Sequence, residues 1–215
     1  MTLRSDIIDG NQAIGRKYGL IYTRKCGWVD LGHANPDGAK TLWEKILNEK
    51  DEGSGEQGFF RIRYKQMMGN KYVKFGVQKE YDIKKKIDIN EKKSVALSIF
   101  LNVSHAFESM QSRWPFRLAT NSGYSAEDLV SNLIGFYRAI NPNISYVQIL
   151  QPVSKDLALQ IWDNYGAVGS IKNYTPTPFI YPIPPAHGWP MCGILPPALN
   201  TIKPATPGVL FKEVR

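Results

Sequence analysis

Two short spacings carry the residues that could do chemistry, Asp30-x-x-His33 and His105-x-x-Glu108. Two imidazoles and two carboxylates can ligate a divalent metal such as zinc, or can hold a histidine between an orienting carboxylate and a substrate. Neither spacing is a signature by itself, and the metalloprotease pattern H-E-x-x-H is absent. One turn apart on a helix, His105 and Glu108 also fit a buried hydrogen-bonded pair that fixes packing. Cys26 is a second centre. Arg24, Lys25 or a histidine would favour its thiolate, and His33 or His105 would serve as base, although a free cysteine is also a common inert core residue. His187 lies in a proline-rich segment that can reach the same place. The chain has no G-x-x-x-x-G-K-[ST], no G-x-G-x-x-G after a strand and no G-x-S-x-G, which removes support for a P-loop, a Rossmann turn and a serine-hydrolase elbow.

The element that must position the second pair runs from Ser94 to Ser112. Val95, Leu97, Ile99, Phe100, Leu101, Val103, Phe107 and Met110 make it a helix that is apolar on most sides, and such a helix belongs in a core. Ser98, His105, Glu108 and Ser112 recur along it as a polar stripe, which a core can hold only if the groups are paired, hydrogen-bonded or metal-bound. Asp88 or Asn90 caps the helix and Trp114-Pro115 ends it. The first pair sits in a strand or tight loop that begins at Leu20 and passes through Gly27, Trp28, Val29 and Leu31. His105 and Glu108 matter chemically only if this Cys26 to His33 segment packs across them.

Around these pieces the periodicity predicts an α+β fold. A helix is expected over Ala39 to Asn48, and a flexible loop over Asp51 to Gly58. A hairpin follows, with Phe60, Ile62 and Tyr64 on one face, basic Arg61, Arg63 and Lys65 on the other, and a second arm through Tyr72, Lys74 and Phe75. A second helix opens at Ser125 as N-cap with Asp128 at its third position, so capping accounts for Asp128; Asn132 reads as a solvent-facing amide. Tyr146 to Leu150 reads as a strand, and Ser154 caps a third helix over Lys155 to Tyr165. Ten of the 14 prolines lie from Pro176 onward among Phe179, Tyr181, Trp189 and Ile194, which predicts an extended strap wrapped over the domain. The expected whole is a single domain with a central buried helix, a small antiparallel sheet and this strap: a lead-in over 1–19, a core over 20–170 and the strap over 171–215.

The chain has 215 residues, enough for one well-buried domain, and a hydrophobic fraction of 43% that excludes general disorder. Its net charge of +8 favours anionic partners without selecting one, and nucleic acid has no other support. Lys84, Lys85, Lys86, Lys92 and Lys93 supply much of that excess as a local run that reads as a solvated face. No secretory h-region and no membrane span are expected, so the chain reads as made in soluble form. Cys26 and Cys192 are too few for a disulfide framework or a four-cysteine zinc site.

The segments Ile21-Tyr22-Thr23, Gly27 to His33, His105 to Glu108 with Gln111, and Ser122-Gly123 with Tyr124 to Asn132 resemble an uncharacterised bacterial domain family of envelope proteins and lipoproteins. The resemblance places Tyr22, Asp30, His33, Glu108, Asp128 and Asn132 in matching motifs and assigns them no role. Lacking an export signal, the chain is also similar to interbacterial effectors that a dedicated secretion system delivers to a target cell's periplasm; without such delivery it would stay cytoplasmic. Together these imply a hydrolase of the cysteine- or metal-dependent amidase or endopeptidase type, a toxin acting on peptidoglycan, with His105, Glu108, His33, Asp30 and Cys26 as site residues. An immunity or delivery protein would be a further partner. The alternative is a non-enzymatic module whose basic hairpin and aromatic strap hold an anionic polymer or a protein.

Overall fold

A short antiparallel pair opens the fold in the computed structural model, which describes residues 2–53, 56–69, 74–112, 124–168 and 171–214. Strand β1 (Leu20–Thr23) meets β2 (Gly27–Asp30) through a turn held by one side chain. The Thr23 hydroxyl accepts from the Cys26 N–H and donates to the Gly27 carbonyl. Gly27 has φ 68°, and a Cβ there would stand 2.0 Å from the Phe179 carbonyl, so only glycine allows the strap to come in alongside. The strap supplies β5 (Phe179–Ile180), parallel to β2, and β6 (Met191–Cys192), antiparallel to β5. This first sheet is therefore mixed, and the small antiparallel sheet expected from the sequence is the second one.

The predicted hairpin forms the second sheet. Strands β3 (Phe59–Gly69) and β4 (Lys74–Lys84) pair antiparallel, and β7 (Phe211–Val214) adds to the outer edge of β4. Tyr72, expected in its second arm, lies outside the described residues. The register sets Arg61 opposite Asp82 and Arg63 opposite Glu80, and both pairs close as ion pairs at 2.8 and 2.7 Å. The basic face of the hairpin is in this way largely neutralised by its own neighbour. In the lysine run, Lys92 pairs with Glu49 at 3.0 Å.

Helix α1 (Asp37–Leu47) packs beside α2 (Ile89–Gln111) and α3 (Asp128–Ile140), and α2 also covers β3 and β4. Asp88 starts α2 with a capping box: its carboxylate accepts from the Asn90 and Glu91 N–H groups, and Glu91 returns a bond to the Asp88 N–H. The helix ends at Gln111. Trp114-Pro115, expected to end it, falls outside the described residues. Helix α3 is buried at every position from Asp128 to Tyr137, and Asn132, expected at the surface, is buried with it. Residues 146–149 form a short helix, α4 (Tyr146–Ile149), where a strand was expected. A brief apolar run does not separate strand from helix, and Tyr146, Val147 and Leu150 are buried at helical spacing. Helix α5 (Lys155–Tyr165) begins where the Ser154 cap placed it.

The strap is fixed through polar anchors as well as apolar contact. The Tyr22 hydroxyl donates to the Tyr181 carbonyl and accepts from the Tyr181 N–H, Ser98 donates to the Ala205 carbonyl, and the Ile202 N–H donates to the Tyr137 hydroxyl. Tyr22→Phe leaves a buried N–H and a buried C=O without their partner. It is expected to cost about 3 kcal/mol in a urea melt. The protein is a single α+β domain, and among the described residues no helix is long and apolar enough to cross a membrane.

Candidate functional site

Three elements bring one group each to a common point, His33 half-buried and the two carboxylates buried. His33 comes from the loop between β2 and α1, Glu108 from the last turns of α2, and Asp128 from the first turn of α3. One ligand atom from each lies within 4.8 Å of the others. The loop is seated by close approach to α3: a Cβ on Gly135 would meet the His33 carbonyl at 3.0 Å, and the Arg138 guanidinium donates to the Ala34 carbonyl at 2.6 Å. The Asp30 carboxylate accepts from the Gly32 N–H at 2.7 Å, and the Asp30 N–H donates to the Ser131 hydroxyl. Asp30 thus shapes the turn that presents His33.

Glu108 is fully buried. Its Oε2 accepts from the Tyr124 N–H at 3.1 Å, and its Oε1 has no hydrogen-bond partner among the described residues. Asp128 splits its two oxygens between structure and site. Oδ2 accepts from the Ser125 N–H at 2.7 Å, while Oδ1 faces His33 Nδ1 at 3.4 Å. Glu127, 1% exposed, accepts from the Thr2 hydroxyl through Oε1 and leaves Oε2 buried without a partner. Among the described residues, no Lys or Arg pairs with any of these carboxylates or with Asp30. The electrostatic result is strong. Burial, offset in part by hydrogen bonding and His33 and reinforced by Asp30, raises the Glu127 carboxyl to about 7. Burial first, then the charges of Glu127 and Glu108, holds Asp128 well above the usual carboxylate range.

Two cavities meet at His33, with Glu108 lining one and Asp128 the other. One of about 300 Å³ is lined by Tyr64, Lys65, Gln66 and Glu108 with others, and one of about 450 Å³ by Thr2, Tyr18, Asp30 and Asp128 with others. His33 and Gln111 line both. A substrate or ion can therefore reach the buried groups from either side.

Of the residues expected at the site, Asp30, His33 and Glu108 come together. His105 is set apart from the ligand cluster: its half-buried ring lies 6.2 Å from that of Tyr124, whose hydroxyl donates to the His105 carbonyl, and burial lowers its basicity. Cys26 sits in the hydrophobic core, where burial pushes its thiol up to about 12. His187 is exposed on the strap. In the native protein Cys26 should resist iodoacetamide at pH 8 while exposed Cys192 reacts, and peptide mass mapping after brief alkylation checks this. The expected polar stripe of α2 is also turned: the buried polar groups are Ser104, Glu108 and Gln111, at steps of four and three, and Ser104 accepts from the Gln66 amide.

The sequence reading missed Asp128, Glu127 and Gln111 as site residues. The available signal was the Glu127-Asp128 pair in front of an apolar helix. A helix buried on every side leaves its first-turn acids no water to face.

An α+β scaffold presenting a half-buried imidazole and buried carboxylates with no Lys or Arg partner among the described residues, at the meeting of two cavities, defines the class of site. A family model described as Protein of unknown function (DUF4056) matches residues 6–149, two thirds of the chain, and the chain belongs to that family. That stretch contains all three converging residues and stops short of the strap. No curated protein and no solved structure matches the chain.

Proposed function

We propose that the protein is a hydrolase of the amidase or endopeptidase type that cleaves amide bonds in bacterial cell-wall peptidoglycan, with His33, Glu108 and Asp128 as its working centre. The observation that carries the reading is their convergence, from three separate elements, where two cavities meet. In the reaction one water adds to the amide carbonyl, a C–O bond forms and the C–N bond breaks. The proton lost by the water passes through a carboxylate of the cluster to the departing amine. The burial of Cys26 favours water over a thiolate as the nucleophile. The cavities on either side fit an extended chain that lies across the centre. The choice of peptidoglycan, and delivery as an effector-type toxin, rest on the resemblance of the GWVDLGH and SAEDLVSN segments to bacterial envelope proteins.

Purified sacculi incubated with the protein, with Zn²⁺ or Mn²⁺ supplied, are expected to release new amino groups in proportion to protein, and His33→Ala to release almost none. If the native protein releases none, or His33→Ala matches it, the reading fails. The binding-module alternative keeps less support, because Asp82 and Glu80 already occupy Arg61 and Arg63.

A further inference from the structure

We propose that His33, Glu108 and Asp128 bind one divalent transition-metal cation, of the Zn²⁺ or Mn²⁺ class. The argument begins with charge. Glu108 and Asp128 are 0% and 4% exposed, and among the described residues neither has a Lys or Arg partner. Two carboxylates buried this way are costly unless something positive joins them or protons neutralise them. The His33 imidazole answers only part of this, since it faces Asp128 at 3.4 Å without a hydrogen bond.

Among the described residues Glu108 Oε1 is buried without a hydrogen-bond partner, and so is His33 Nδ1. His33, Glu108 and Asp128 each offer a ligand atom, and these atoms lie within 4.8 Å of one another. A cation about 2.0–2.2 Å from each donor would satisfy both orphans and Asp128 Oδ1 at once. The other oxygens of both carboxylates are already engaged, by the N–H groups of Tyr124 and Ser125. These bonds fix the carboxylate planes as supporting contacts do in metal sites.

The donor set chooses the ion. One imidazole with two carboxylate oxygens suits Zn²⁺ or Mn²⁺ better than an all-oxygen Ca²⁺ site, and no thiolate is at hand. Three protein donors leave open positions facing the cavities, the pattern of a catalytic rather than a structural ion. A cation there would supply an acidified bound water. The assignment uses the centre proposed above, but it does not require that centre to be a hydrolase.

The test uses the full chain after chelator treatment and dialysis, titrated calorimetrically with Zn²⁺, Mn²⁺ and Ca²⁺ in turn. Zn²⁺ or Mn²⁺ is expected to bind saturably at one equivalent, with Ca²⁺ much weaker. Glu108→Gln, Asp128→Asn and His33→Ala should each weaken binding at least about tenfold, while His105→Ala should leave it unchanged. No saturable binding of either ion, or binding that all three substitutions leave intact, overturns the assignment. Should a variant unfold, the unmodified protein still decides. Its Co²⁺ spectrum is expected to show ligand-field bands without a thiolate charge-transfer band, and a thiolate band would place the ion on cysteine and overturn the assignment. Binding with no action on sacculi leaves the metal site standing and removes the hydrolase reading. Hydrolysis that survives complete chelation, together with no saturable binding of either ion, keeps the hydrolase reading and overturns the metal site.

Discussion

His33→Ala is expected to lower amide hydrolysis at least about a hundredfold, while His105→Ala leaves it nearly unchanged. The two histidines differ in where their rings can act. His33 lines both cavities and faces Asp128 at 3.4 Å. His105 lies against Tyr124, and the Tyr124 ring is in turn 4.8 Å from that of Tyr174. Its loss would remove a ring contact with Tyr124 and reach Glu108 only indirectly, through that residue's N–H and through charge, while taking no donor from the centre. Rates of amine release from sacculi, measured for both variants at matched fold by circular dichroism, check the pair. A dead His105→Ala with an active His33→Ala would mean that the chemistry lies on the other face of α2.

The two outcomes also separate what the chain announced from what it concealed. The capped start of α2, the hairpin, the Ser154 cap and the docking strap were legible because each rests on local rules: capping geometry, period-two alternation and proline's missing donor. Glu108 and His33 were legible as polar groups within apolar stretches. Their partner was not. Ser125-x-x-Asp128 reads as an ordinary helix start, and the Ser125 N–H to Asp128 bond shows that half of this is correct. The other oxygen of the same carboxylate serves the centre, a division of labour that spacing does not reveal. Helical phase was the second obstacle. His105 and Glu108 are one turn apart, yet the side of α2 that faces His33 is carried by Ser104, Glu108 and Gln111. That side is set by how α2 packs on α1, α3 and the second sheet.

Glu108→Gln should change sign with conditions, which makes it the sharpest probe of the centre. In chelator-treated protein at pH 8 it is expected to raise unfolding stability by about 1–3 kcal/mol. The amide can still accept from the Tyr124 N–H, it places a donor where Oε1 now has no partner, and it removes a buried negative charge that disfavours ionised Asp128. Glu127 gives the companion pH dependence. Unfolded, it releases its proton near 4.5, and folded it keeps it to about 7. Above 4.5 the folded state holds the extra proton, so the stability present below pH 4.5 is lost as pH rises through the folded value; Asp128, raised by the same burial, extends the loss, and Glu127→Gln should reduce it. Adding Zn²⁺ or Mn²⁺ reverses the order of the Glu108 pair. At a hundredfold excess over the dissociation constant the wild-type protein gains about 2.7 kcal/mol, while Glu108→Gln gains far less. Melting curves with and without ion, at pH 5 and pH 8, resolve all of these terms. If Glu108→Gln destabilises the metal-free protein as much as the ion-loaded one, the carboxylate is part of the fold's own support. A crossing of the two curves identifies it as a charge the fold tolerates in order to hold something else.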